Sequence, residues 1–131
     1  MLVKPQDYIG KITTSKIPFY DNKSGEMKMK KRPVLIIGAE KEVFPCDFNV
    51  LPVSTITFKE HINPLFDYEI EAEKCQIMNI KKSPSYIRVH KQSTCHSRIV
   101  DKRYFCDLVY DYNDIYTEII DLHSKFNESL F

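Results

Sequence analysis

Short apolar runs rich in β-branched and aromatic residues, separated by polar turn signals, fill most of the chain, and only the C-terminal segment shows a helical period. Residues 8–19 are rich in Ile, Thr and aromatics and predict a strand. Residues 20–30 are polar and carry the turn signals Asp21-Asn22 and Ser24-Gly25, which predicts a mobile surface loop between two strands. The run Val34-Leu35-Ile36-Ile37 predicts a strand buried on both faces. Pro33 has no N–H, so it is expected to open that strand and not to sit inside its ladder. Residues 47–58 predict another strand, apolar at Val50, Leu51 and Val53 and polar from Ser54 onward. Asn63-Pro64 marks a turn, and residues 67–71 and 76–80 predict short strands or connecting turns. Residues 85–94 alternate well, with Tyr86, Arg88 and His90 on one face and Ile87, Val89 and Lys91 on the other.

After Asn113 the pattern changes. Ile115, Ile119, Leu122 and Phe126 recur in steps of 4, 3 and 4, which predicts an amphipathic helix. Asn113 or Asp114 suits its N-cap, and Lys125 suits its last turns. Strands separated by turns, with no alternation of strand and helix, argue for an antiparallel sheet or small barrel followed by one C-terminal α-helix.

A chain of 131 residues fits one domain, so residues 1–131 are taken together. Its 43% hydrophobic and 28% charged residues exclude a disordered tail, a collagen-like fibre and a coiled coil. No apolar run is long enough to span a membrane, and Pro5 and Asp7 interrupt the start where a signal peptide would be apolar. A cytoplasmic location with reduced, buried thiols is therefore expected for Cys46, Cys75, Cys95 and Cys106, which form no CxxC pair. Cys95, His96 and Cys106 are the weak candidates for a zinc site, and neither metal nor other cofactor is expected. Net charge is only +1, yet residues 74–103 hold eight Lys or Arg against Asp101 alone, and residues 104–131 hold six acids against Lys125. This asymmetry suggests a basic working surface beside an acidic C-terminal element.

Three groups of residues could carry chemistry. The basic cluster Lys28, Lys30, Lys31 and Arg32 runs into the buried strand, and Pro33 fixes the backbone next to Arg32, which suits a bidentate clamp on phosphate. Ser54 and Thr55, at the end of a buried strand, can donate to a phosphate oxygen or cap a turn. Arg88 and His90 lie two apart. An imidazole can take or return a proton near neutral pH, and a guanidinium supplies positive charge without losing its own proton. Such a pair suits cleavage of RNA at a phosphodiester. Tyr20 and Tyr86 are candidates for stacking on bases, and Lys91 is a further candidate for binding RNA.

Taken in order, three stretches resemble the PemK/MazF family of toxins from bacterial toxin–antitoxin pairs. They are Lys31-Arg32-Pro33-Val34-Leu35-Ile36-Ile37, Val50-Leu51-Pro52-Val53-Ser54-Thr55, and Ser85-Tyr86-Ile87-Arg88-Val89-His90-Lys91 with Thr94. The likeness spans about residues 8–126 and includes the final helix. It implies an SH3-like antiparallel β-barrel with a terminal helix, a homodimer, and metal-independent cutting of single-stranded mRNA to a 2′,3′-cyclic phosphate and a 5′-hydroxyl. It also implies a cognate antitoxin, an acidic peptide lying across the basic groove. By the resemblance, Arg32 contacts the scissile phosphate, Ser54 or Thr55 donates to it, and Arg88 and His90 share the acid and base roles. Ser54 stands where the family usually has Thr, His90 where Asp is common, and Gly10-Lys11-Ile12 only partly echoes the family's usual start.

Two other classes compete with this reading. A barrel of the CcdB type poisons gyrase through a protein surface and C-terminal residues, for which Phe131 is a candidate. A catalytically inactive RNA-binding barrel would bind RNA without cutting it.

Overall fold

A computed structural model describes residues 4–81 and 83–131. After a 3-10 turn at Pro5–Tyr8, strand β1 (Lys11–Asp21) pairs antiparallel with β2 (Glu26–Ala39) from Ile12↔Leu35 to Asp21↔Glu26. The polar stretch expected as a loop is thus mostly the far end of a long hairpin. Its turn is held by Asp21, which accepts from the Lys23 N–H at 3.0 Å and the Ser24 hydroxyl at 3.1 Å, and by Gly25 at a left-handed φ of 72°. Polarity misled here because a two-stranded arm with water on both sides needs no apolar face.

Pro33 also departs from expectation, since it lies inside β2 opposite Thr14. Thr14 sends its carbonyl to the Asp101 N–H, 2.9 Å away and on the far side from β2. Antiparallel alternation then turns the Pro33 nitrogen away from β1 as well. The next ladder, between β2 and β3 (Asp47–Ser54), begins only at Val34↔Pro52, so Pro33 lies just before its first paired position.

Strand β4 (Asp67–Ile70) follows within the 67–71 stretch, then a short helix α1 (Ala72–Ile77) that takes in the start of the 76–80 stretch, where a strand or turn was expected. Residues 85–94 are not one strand. They split into β5 (Ser85–Arg88) and β6 (Ser93–His96), which share one edge of β3. Strand β7 (Cys106–Asp107) leads into α2 (Leu108–Asp111) and α3 (Asn113–Ser129). The predicted final helix is present, but neither Asn113 nor Asp114 caps it. Its N-cap is Tyr112, because α2 runs almost directly into it and the Tyr112 carbonyl accepts from the Tyr116 N–H. The side-chain cap belongs to Asp107, which accepts from the Tyr110 N–H at the start of α2.

Among the described residues the strands form one curled half-barrel sheet, in the order β4-β5-β3-β2-β1-β7, with β6 also on β3. Both faces are covered. Ile12, Leu35, Leu51, Val53 and Ile87 pack under Leu108, Ile115 and Ile119, and Val34, Ile36, Phe48 and Val50 pack with Tyr8 and Val100. The period-two split of Val34, Leu35 and Ile36 between the two cores is what their unbroken apolar run predicts. No helix among the described residues is long and apolar enough to cross a membrane. All four cysteines are free and buried.

Candidate active site

The break between β5 and β6 makes the site. Ile87 pairs with Val53 and Ser93 pairs with Val50, so residues 88–92 stand opposite only Leu51 and Pro52. The alternation that frees Pro33 also turns the Pro52 nitrogen away from β2 and toward this edge. A strand lying flat there would meet no donor, and the chain bulges instead. The bulge lifts Arg88, His90, Lys91 and Gln92 over Pro52.

Together with Arg32, Ser54 and the Ile17-Pro18 segment, these residues line a cleft of ≈ 440 Å³. Arg32 and Arg88, far apart in sequence, therefore meet in one concavity. Neither the Arg32 guanidinium nor the Ser54 hydroxyl has a hydrogen-bond or ion-pair partner among the described residues. Arg32 is half-buried and still uncommitted, which is uncommon for a guanidinium inside a protein surface.

Arg88 is committed. Its Nε donates to Asp67 Oδ1 at 3.0 Å and its Nη2 to Asp67 Oδ2 at 3.3 Å. The two residues are direct cross-strand partners in the β4–β5 ladder. The Asp67 side chain is 0% exposed and also accepts from the Asn63 N–H at 2.7 Å. Asn63 in turn accepts from the N–H groups of Leu65 and Phe66, so the Asn63-Pro64 turn holds the carboxylate in place. Asp67 is absent from the sequence-derived site. Only strand register brings it to Arg88, and register is not written in the local pattern.

His90 lies in the bulge, not on the continuing face of β5. Its Nδ1 is buried without a hydrogen-bond partner and sits 3.7 Å from Asp67 Oδ1. Burial pushes its pKa below the usual histidine value, with the Asp67 carboxylate pulling the other way and Arg88 and Lys91 adding to the depression. The ring edge meets Phe126 of α3, with centroids 6.3 Å apart, and Phe126 also packs on Phe66 at 5.0 Å. Next to it, His123 Nε2 meets Gln92 Oε1 at 2.7 Å. The C-terminal helix thus backs the bulge.

A second cleft of ≈ 720 Å³ opens on the other side of Arg32 and Ser54, and both residues line it too. Thr55, Lys30, Lys31, Lys81 and Arg103 surround it, and Val53, Ile80 and Phe105 give it apolar wall. Asp101 is its one acid, and that carboxylate already accepts from the Arg103 N–H at 2.9 Å. The result is a basic trough joined to the first cleft across one arginine and one serine.

Other predicted residues fall elsewhere. Lys28 is paired with Asp21 at 2.8 Å near the hairpin tip and lines neither cleft. Tyr20 is exposed on the hairpin arm, away from both clefts. Tyr86 is buried at 7% exposure, so its ring offers no open face to a base. Phe105, half-buried in the basic trough, is the aromatic that the sequence reading missed. Cys95, His96 and Cys106 do not come together, and no group of three or more metal-ligating side chains gathers among the described residues. Comparison with known protein families, curated proteins and solved structures finds no match to this chain.

Proposed function

We propose that this chain is an endoribonuclease that cleaves single-stranded RNA without a metal, on an SH3-like barrel of the PemK/MazF type. The observation that carries the reading is the convergence of uncommitted Arg32 and Ser54 with Arg88 and His90 around one cleft. A scissile phosphate there would take two parallel N–H bonds from Arg32 and one O–H bond from Ser54, with Thr55 held to the trough side. Arg88, fixed by Asp67, contributes charge near the phosphorane and not a mobile proton.

In the reaction the ribose 2′-oxygen attacks phosphorus and the bond to the 5′-oxygen breaks. His90 takes the 2′-hydroxyl proton and passes it on to solvent, and water on the opposite side of the phosphorus supplies the proton that the departing 5′-oxygen takes. The products are a 2′,3′-cyclic phosphate and a 5′-hydroxyl, with no net proton consumed. Flanking phosphates would follow Lys30, Lys31, Lys81 and Arg103 along the trough, and a base would rest on Phe105. The same trough suits an acidic antitoxin peptide, a cytoplasmic partner that would compete with RNA. A homodimer belongs to this reading through the family likeness.

The test is incubation of labelled single-stranded RNA with the protein in EDTA, beside Arg32→Ala. Cleavage by the wild type and its loss in the variant support the proposal. A need for magnesium, or cleavage untouched by the substitution, overturns it. An exposed Phe131 keeps the gyrase-poison reading in view: toxicity lost on trimming the last residues, with RNA intact throughout, would favour it.

A further inference from the structure

Resting on the catalytic reading above, we propose that Asp67 is the positioning residue of His90, holding its Nδ1–H tautomer so that Nε2 faces the cleft as the base. The two ring nitrogens lie in different surroundings. Nδ1 is enclosed, has no hydrogen-bond partner, and faces Asp67 Oδ1 across 3.7 Å. Nε2 is not enclosed in this way, the Phe66 backbone lies beside the ring as a further acceptor, and His90 lines the cleft that holds Arg32 and Ser54.

A proton on Nδ1 points at a carboxylate with no exposed surface. A lone pair there would point at the same negative charge and be repelled. The neutral ring therefore carries its proton on the inside and its lone pair on the outside, as a base at the cleft requires. When Nε2 takes the 2′-hydroxyl proton, the new positive charge lies beside a carboxylate already oriented by Arg88 and the Asn63 N–H. Asp67 needs no proton of its own and does not touch RNA. The gap to Nδ1 is longer than a hydrogen bond, and a small ring tilt in the imidazolium closes it.

Several charges face this ring. Asp67 comes from β4, Arg88 from β5 and Lys91 from the bulge, while Arg32 lines the same cleft from β2. From α3 the direct contact is the apolar Phe126, with His123 one step away on Gln92. Asp67 is the one anion in the group, so its removal changes the ring's titration in a single direction.

The experiment is nitrogen-15 NMR of the histidine rings in the full chain, without RNA, for wild type and Asp67→Asn. The wild type is expected to show neutral His90 with its proton on Nδ1, and the variant a midpoint moved to lower pH by about one unit. An Nε2–H tautomer in the wild type overturns the proposal, as does an unchanged midpoint in a folded variant. If Asp67→Asn fails to fold, the wild-type tautomer decides alone. Cleavage is scored separately with the EDTA assay. The predicted tautomer in a protein that never cuts RNA overturns the catalytic reading, and the wrong tautomer in a protein that does cut overturns the role of Asp67 alone.

Discussion

Arg88 and Asp67 face each other across the β4–β5 ladder, joined by two hydrogen bonds of 3.0 and 3.3 Å onto a carboxylate with no exposed surface. This pair ties the bulge to the turn at Asn63. Removing one partner strands the other, so Arg88→Ala is expected to destabilise the fold by about 3 kcal/mol. Arg88→Met combined with Asp67→Leu should cost less than the single change, because no buried charge is left alone. Denaturant titration of the three proteins checks this, and equal losses in the single and double variants would contradict it.

The bulge was not legible in the sequence, and the reason is instructive. Residues 85–94 alternate as cleanly as a strand, and alternation alone reports which side chains share a face. It does not report that Pro52, on another strand, withholds a donor opposite their middle. Arg88 and His90 were still found, since their types suit the chemistry whether the backbone runs straight or bulges. Asp67 was missed because its meaning comes only from register. The buried strand at Val34-Leu35-Ile36 and the helix after Asn113 were readable because each depends on its own period. The hairpin arm was misread because both its faces are polar enough to look like a loop.

Folding depresses the His90 pKa, and that of His123, below the ordinary value of 6.5, mainly by burial. The unfolded chain thus binds more protons than the native one below pH 6.5. Stability is then fully present above that pH and falls as acid protonates the folded rings. Wild-type stability should drop on acidification from pH 7 to pH 5, and His90→Gln should flatten part of that slope. Cleavage should follow the same sign, rising with pH as His90 loses its proton.

Asp21 anchors the hairpin turn through Lys28, Lys23 and Ser24, which together hold its pKa below the usual carboxylate value. Its contribution is present above pH 3.8 and is lost as pH falls through the lower folded value. Asp21→Ala is expected to speed amide exchange in the residues around the turn while leaving β3 unchanged. Uniform protection in the variant would show that the turn is held by other means.

Lys30, Lys31, Lys81 and Arg103 surround the trough beyond Arg32. If RNA phosphates follow them, each Ala substitution weakens binding and lowers the slope of log affinity against log salt by about 0.7. Fluorescence anisotropy with an uncleavable oligonucleotide at several salt concentrations reads this directly. Lys28→Ala, away from the trough and engaged by Asp21, should leave the slope unchanged.

Phe126 joins α3 to both Phe66 and His90. Phe126→Ala is expected to cost about 2 kcal/mol, less than a fully enclosed Phe because the ring is only partly buried, and to slow cleavage. Trimming the last three residues, which lie beyond that contact, should leave cleavage intact.

The central claim is in-line attack by a ribose hydroxyl at the phosphate held by Arg32. The most direct measurement is digestion, in EDTA, of an RNA cut at a mapped site, beside the same RNA with a single 2′-deoxyribose on the 5′ side of that bond. Cleavage of the ribose strand to a 2′,3′-cyclic phosphate, with the deoxy strand intact at that bond, is the predicted result. Cutting of the deoxy strand at the same bond, or no cutting of either, would contradict it.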